Sequence, residues 1–93
     1  MLRPPIAGRP LRYLLTVVLA EARRPLSIDE LVEAVRRSDL EVAGRPSKTV
    51  SDALRWKQRK GRVRRTGHGS YAIGSMPDST LRWIRMQVRR SLP

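Results

Sequence analysis

The sequence predicts a mainly α fold with one small β-hairpin (α+β), in the order helix, helix, helix, hairpin, helix. Apolar residues recur at helical spacing in the segments that we assign to helices. Two short alternating runs flank a glycine-rich turn near residue 68, which is the pattern of a hairpin. No shift in composition marks a second domain, and 93 residues are enough for one modest hydrophobic core.

The first helix is predicted over residues 11–22, after an arm of ten residues. Residues 1–10 contain three prolines and a glycine, so we expect this arm to be flexible or extended. From Leu11 to Ala22, apolar residues at i, i+3, i+4 and i+7 form the stripe of an amphipathic helix. Arginines before an apolar run also resemble a secretory signal peptide, but the amphipathic spacing favours a helix. The sequence contains no run of 18 apolar residues, so it predicts no membrane-spanning helix.

The second helix begins with a recognisable N-terminal motif. Ser27 and Glu30 fit a capping box, and Leu26 with Leu31 fits a hydrophobic staple. We expect the helix to end near residue 37. Leu40 and a valine two residues later then alternate with polar residues and predict a short extended piece at the edge of the core.

The third helix is predicted over residues 48–60, with Ser47 as its N-cap and a glycine after its end. At 100° per residue, Val50, Ala53 and Leu54 face the core and Lys57 lies at its margin. Trp56 falls on neither face, and we expect it at the core edge or in a subunit contact.

The hairpin follows over residues 62–73. Alternation places Val63, Tyr71 and Ile73 on its inner face. Gly67 and Gly69 are expected to supply the positive φ angles of a tight turn.

The last helix is predicted from Asp78 or Ser79 to about residue 91, so that residues 11–74 form the domain and 75–93 an added helix. Apolar side chains beyond those needed for each helix's own core stripe occur on the first and last helices. They could pack within one chain or between the two subunits of a homodimer. We favour the homodimer, with these candidate contacts: Tyr13, Val17, Leu81, Trp83, Ile84 and Val88.

The positive charge is unevenly distributed along the chain. The net charge is +12, and residues 1–41 carry seven basic residues against six acidic ones, whereas residues 42–93 carry thirteen against two. Seventeen of the twenty basic residues are arginine, which makes bidentate contacts with phosphate and guanine. This segregation predicts a surface that faces a polyanion.

The candidate DNA-binding residues lie on the outer face of the third helix and on the hairpin. Lys48, Arg55 and Arg59 share that outer face, and Asp52 is expected to orient its helical neighbours. Two arginines of the hairpin point outward, and His68 occupies its tip. The full set is Lys48, Ser51, Asp52, Arg55, Arg59, Arg62, Arg64, Arg65 and His68.

Four segments carry a family resemblance: RPLSIDEL (24–31), GRP (44–46), TVSDALR (49–55) and GRVRRTGHGSYAI (61–73). On these, residues 11–74 resemble the winged helix-turn-helix superfamily, and within it the HARE type of winged helix. Its members occur in bacterial restriction-associated proteins, in the delta subunit of bacterial RNA polymerase and in some chromatin proteins. The resemblance implies a DNA-linked role, regulatory or as an adaptor. The added C-terminal helix departs from the family pattern.

Catalytic and cofactor functions find no support in the sequence. The chain has no cysteine and a single histidine, so we predict no metal site and no thiol chemistry. GRPSKT (44–49) lacks the two glycines of a phosphate-binding loop, because Val42 and Ser47 stand at their positions. We therefore predict a protein that is not an enzyme and needs no cofactor.

The function that these patterns favour is DNA binding by a bacterial transcriptional regulator in the cytoplasm, at the nucleoid. The third helix would enter the major groove, and the basic wing (62–70) would lie on the backbone or in the minor groove. One alternative is an adaptor that docks on an acidic partner such as RNA polymerase or a nuclease. A second is an architectural protein of the nucleoid. RNA binding is less favoured, since the chain lacks an aromatic platform for single strands. Membrane-surface binding is also less favoured.

Overall fold

The computed structural model describes residues 4–91, which form a mainly α structure with four helices and a small antiparallel sheet. The elements are β1 (Pro5–Ile6), α1 (Gly8–Ala22), β2 (Leu26–Ser27), α2 (Ile28–Arg37), β3 (Glu41–Val42), α3 (Pro46–Arg59), β4 (Val63–Gly67), β5 (Ser70–Ile73) and α4 (Asp78–Ser91). The antiparallel sheet has the order β2-β5-β4, and β1 pairs separately with β3. Three helices before a hairpin are compatible with a winged helix. Within residues 4–91 no helix is long and apolar enough to cross a membrane.

The segment before α1 is tied to the core, and α1 begins three residues earlier than predicted. β1 runs parallel to β3, whose flanking amides donate to the carbonyls of Pro4 (3.0 Å) and Ile6 (2.9 Å). Because this segment pairs through the carbonyls of Pro4 and Ile6, the missing N–H groups of Pro4 and Pro5 remove no hydrogen bond of this pairing. Ile6 is buried. Residues 4–7 of the predicted arm are therefore extended and anchored, and residues 8–10 form the first turn of α1.

The capping box of α2 is confirmed. The residues that begin this motif also form a strand of the antiparallel sheet, which the sequence did not predict. The amide of Glu30 donates to Ser27 Oγ at 3.1 Å, and the amide of Ser27 donates to Glu30 Oε1 at 2.9 Å. This backbone hydrogen bond from Ser27, followed by a side-chain hydrogen bond from the guanidinium of Arg24, lowers the pKa of Glu30. Leu26 and Ser27 also pair with β5. Two residues without alternation give too little pattern to predict such a strand.

The start of α3 corrects the prediction that Ser47 is its N-cap. The helix begins at Pro46 with Arg45 in the capping position, and no side chain caps it. Proline fits the first helical position because its fixed φ suits a helix and its missing N–H has no intrahelical partner there. Thr49 Oγ1 instead fastens this turn to the loop by donating to the carbonyl of Ala43 at 2.8 Å.

The hairpin differs from the prediction at one of its two glycines. Gly69 has φ +73°, but Gly67 is not in the positive-φ region. Gly67 stays in β4 opposite Ser70, because an irregularity in register between Arg65 and Gly67 accommodates the extra residue. Gly69 alone of the two therefore needs the left-handed conformation.

The core forms where α1 crosses α2, α3 and the sheet, and α4 covers the outer side of α1. The centre consists of fully buried aliphatic residues: Leu11, Leu15, Leu19, Leu31, Val35, Val50 and Leu54. Ile84 of α4 is also buried, and Trp83 meets the Tyr13 ring edge-on with centroids 5.5 Å apart. Val17 is buried, and Leu81 and Val88 are half-buried. The side chains that we assigned to a homodimer thus lie at the contact of α1 with α4 within one chain, where Trp83 is still 49% exposed, and the homodimer stays a prediction.

Candidate nucleic-acid interface

The outer face of α3 presents a group of charged side chains to solvent. Val50, Ala53 and Leu54 anchor the opposite face in the core, as the helical angles predict. This anchoring turns Lys48, Asp52, Arg55 and Arg59 outward as exposed residues, with Ser51 half-buried beside them.

Asp52 lies between two cations of this face. Lys48 Nζ donates to Asp52 Oδ2 at 2.9 Å, and Arg55 Nη1 lies 3.8 Å from Oδ1. The hydrogen bond from Lys48 is the largest cause of a lowered pKa at Asp52. At exposures above one half for all three side chains, such pairs contribute little to stability. Their effect is to space Lys48 and Arg55 along the helix, while the face keeps a net positive charge.

The wing arginines are positioned by the hairpin backbone. Arg64 Nε donates to the carbonyl of Ile73 at 3.4 Å, and Arg65 Nε donates to that of Gly67 at 3.2 Å. Both side chains are exposed, as is His68 at the tip, whereas Arg62 is half-buried at the base.

A close backbone approach fixes the base of the wing to the end of α3. The amide of Gly74 donates to the carbonyl of Arg62 at 2.8 Å. A Cβ on Gly74 would lie 2.3 Å from the carbonyl oxygen of Gly61. Gly61 itself has φ +74° and turns the chain out of α3. These two glycines therefore set where the wing lies relative to α3.

A set of cation–π contacts beside this face was not predicted. Trp56 is 43% exposed and has the Arg12 guanidinium 4.9 Å and the Lys60 ammonium 5.4 Å from its ring centroid. The next residue of α3, Lys57, places its Nζ 4.7 Å from the centroid of Tyr13. Adjacent residues of α1 and α3 thus make two neighbouring cation–π pairs. The sequence signal was a cation next to an aromatic residue on each helix, 12–13 and 56–57.

Lys57 is more deeply buried than its predicted place at the core margin. Only 7% of the residue is exposed. Burial, followed by the charges of Arg12 and Arg62, lowers the pKa of Lys57 to about 8. A lysine in this setting gives up its proton far more readily than one on the surface.

Three acidic residues line a cleft that α3 does not contribute to. This cleft of about 490 Å³ between α1 and α2 is lined by Glu21, Glu30 and Glu33 together with Arg24 and Arg37. The described part of the chain contains no group of three histidine or acidic side chains that could hold a metal ion.

No protein-family model, curated protein or solved structure matched this chain.

Proposed function

We propose that this chain binds duplex DNA as a winged helix of the HARE type, with α3 in the major groove and the β4–β5 hairpin as its wing. The element order and the capping box at the start of α2 agree with the segments that carry the resemblance. We further propose that it regulates transcription at a bacterial nucleoid.

The observation that carries this proposal is the outer face of α3. Its core-facing side is fixed by three buried residues, and its outer side holds Lys48, Arg55 and Arg59 with a single acid that pairs with two of its neighbours. A helix that presents arginines in this way can reach guanine O6 and N7 or phosphate oxygens. Ser51 is suited to a base edge or a phosphate.

The wing would add backbone contacts next to the groove. Arg64 and Arg65 are exposed on the strand that directly follows α3, and Arg62 begins it. The tip, His68 followed by Gly69, is small enough for its backbone to approach phosphates or enter the minor groove. Because these groups follow the recognition helix without a break, one duplex could contact both.

The experiment is a salt series of duplex binding by fluorescence anisotropy, with a 20-bp random-sequence duplex. Each phosphate contact contributes about −0.9 to the slope of log K against log salt, so about six contacts predict a slope near −5. Changing Arg55 and Arg59 to alanine should weaken binding and reduce the slope by up to about two. The matched control removes two charges from the end of α2, at Arg36 and Arg37, and should alter binding much less.

Two outcomes would contradict the proposal. One is duplex binding without salt dependence, and the other is equal weakening by the α3 pair and the control pair of substitutions, which would indicate net charge alone. Genomic fragments in the same assay separate the two DNA-binding roles. A sequence-specific regulator binds some fragments roughly a thousandfold or more tighter than random duplex, whereas an architectural protein binds all of them alike.

Docking on an acidic protein is a second candidate, favoured by α4. Trp83 and Met86 are 49% and 46% exposed on a helix that also exposes Arg82, Arg85 and Arg89. An apolar patch ringed by arginines fits a partner helix with apolar and acidic residues. A display library of such peptides tests this function. Binders should be lost on W83A or M86A and retained when the α3 arginines are replaced.

A further inference from the structure

Three cations come together where α1, the end of α3 and the start of the wing meet. Lys57 is buried against Tyr13, and its electrostatic neighbours are Arg12 of α1 and Arg62 at the wing base. The amide of Arg62 also donates to the carbonyl of Lys57 at 3.0 Å, which holds these two residues side by side. We call Arg12, Lys57 and Arg62 the junction cluster.

No anion balances the junction cluster within residues 4–91. None of its three side chains has a carboxylate partner or a hydrogen-bond acceptor there, whereas Lys48 on the face of α3 has Asp52. Lys57 Nζ keeps some accessible surface, since no fully buried side-chain nitrogen or oxygen of the described chain lacks a partner. Arg12 and Arg62 are half-buried, so the cluster offers donors that an external anion can reach mainly through these two arginines.

The junction cluster adjoins the proposed DNA surface on both sides. Trp56 lies between the outer face of α3 and Arg12, which stacks on its ring. A cleft of about 300 Å³ runs along this border and is lined by Asp52, Trp56 and the start of α1. Arg62 leads directly into the wing strand. A DNA backbone that flanks the groove occupied by α3 would pass over this border.

We propose that Arg12, Lys57 and Arg62 bind one phosphodiester group of the DNA backbone at the edge of the major groove. This inference rests on the proposed function and adds a site to it. A phosphodiester suits the cluster better than a carboxylate, because its oxygens can accept from donors on several sides at once. The bound phosphate supplies the counter-charge that the three cations lack.

Phosphate binding at this site is linked to protonation of Lys57. The charged or titratable groups that face Lys57 are Arg12 and Tyr13 from α1 and Arg62 from the wing. Lys60 follows directly after the end of α3, and α4 contributes Trp83 behind Tyr13. The free protein loses the Lys57 proton at a pKa of about 8, and an adjacent phosphate raises that pKa. DNA binding above pH 8 therefore takes up a proton, and affinity should fall about tenfold between pH 7 and pH 9.

The experiment compares duplex affinity at pH 7 and pH 9 for the wild type, K57M and K60M. Methionine keeps the length and apolar stem of lysine without the charge. The wild type and K60M should both lose about tenfold in affinity across this range, whereas K57M should bind more weakly at pH 7 and lose much less. Every other titrating group is common to wild type and K57M, so the difference between them belongs to Lys57. An equal loss in K57M, or no loss in wild type, refutes the site.

A second measurement keeps this inference separable from the proposed function. The ¹³Cε resonance of Lys57 reports its titration in the free protein, with duplex and with inorganic pyrophosphate. An upward shift of the midpoint with duplex supports the site. If duplex binds in a way that depends on Arg55 and Arg59 but leaves the Lys57 midpoint unchanged, the site is refuted and the proposed DNA binding stands. If duplex does not bind at all, the proposed function fails. In that case, a Lys57 midpoint that does not change with pyrophosphate refutes the anion site independently of DNA binding.

Discussion

Replacing Lys57 with methionine should make the protein more stable at neutral pH. Lys57 is 7% exposed and has a pKa of about 8 instead of 10.5. At about 1.4 kcal/mol per pKa unit, keeping this residue charged in the folded state costs about 3 kcal/mol at pH 7. Methionine fills the same volume, favours helix and contacts aromatic rings, so it removes this cost without leaving a cavity.

The dependence on pH isolates the electrostatic part of this effect from packing. Between pH 8 and 10.5 the unfolded chain holds the Lys57 proton while the folded chain has lost it, so wild-type stability rises with pH in this window. K57M lacks this rise. The advantage of K57M over wild type should therefore shrink by about 2 kcal/mol between pH 7 and pH 9.5. The change in packing against Tyr13 that does not depend on charge is common to both pH values and drops out of the comparison.

The assay is urea unfolding followed by far-UV circular dichroism, at pH 7 and pH 9.5. K60M is the matched control, because Lys60 is an exposed lysine directly after α3, and its change should stay within about 0.5 kcal/mol at both pH values. If the difference in unfolding free energy between K57M and wild type is the same at both pH values, Lys57 is not a desolvated lysine, and the reasoning fails.

Three substitutions test the local backbone and should be measured by the same unfolding assay. Ser27→Ala removes one half of the capping box and should cost about 1 kcal/mol, and an alanine N-cap as good as serine would contradict the motif. Gly69→Ala should cost about 1 kcal/mol because of its φ of +73°, whereas Gly67→Ala should be nearly neutral, and equal costs would contradict the hairpin. Gly74→Ala should cost several kcal/mol, since its Cβ would meet the backbone of Gly61 at 2.3 Å; a neutral result would show that the wing base is looser than this contact implies.

Elements with local signals were predictable from the sequence. The stripe of α1, the capping box of Ser27 and the inner face of α3 all depend on residues within four positions of one another, and periodicity and capping chemistry describe such pairs. The same holds for Val63 and Tyr71 on the inner face of the hairpin. These features are the ones that the structure reproduces most closely.

Elements that depend on distant partners were not predictable. β1 exists because β3 donates to the carbonyls of Pro4 and Ile6, and two prolines in a row do not indicate a strand. β2 is likewise created by its pairing with β5. Tyr13 and Trp83 lie outside the core stripes of their helices. The sequence shows that such side chains need a partner surface, but it does not show whether that surface comes from the same chain.

The candidate interface likewise has one part that local sequence patterns predict and another that depends on distant partners. The outward cations of α3 follow from helical angles alone, since Lys48, Asp52 and Arg55 are neighbours on one helix. The position of Arg12 over Trp56 requires α1 and α3 to pack side by side, which no local pattern specifies. The sequence therefore indicates the outer face of α3 better than the groups that border it.

The burial of Lys57 connects the stability of the fold with the proposed activity. An apolar residue at this position would pack between α1 and α3 without a desolvation cost, so the charge lowers stability in the free protein. A phosphate on the junction cluster would offset that cost, because it supplies the missing counter-ion where Arg12 and Arg62 now repel Lys57. DNA should then raise the unfolding temperature of the wild type more than that of K57M. The buried charge of Lys57 thus lowers the stability of the free protein, and the same charge would strengthen the binding of a phosphate at the junction cluster.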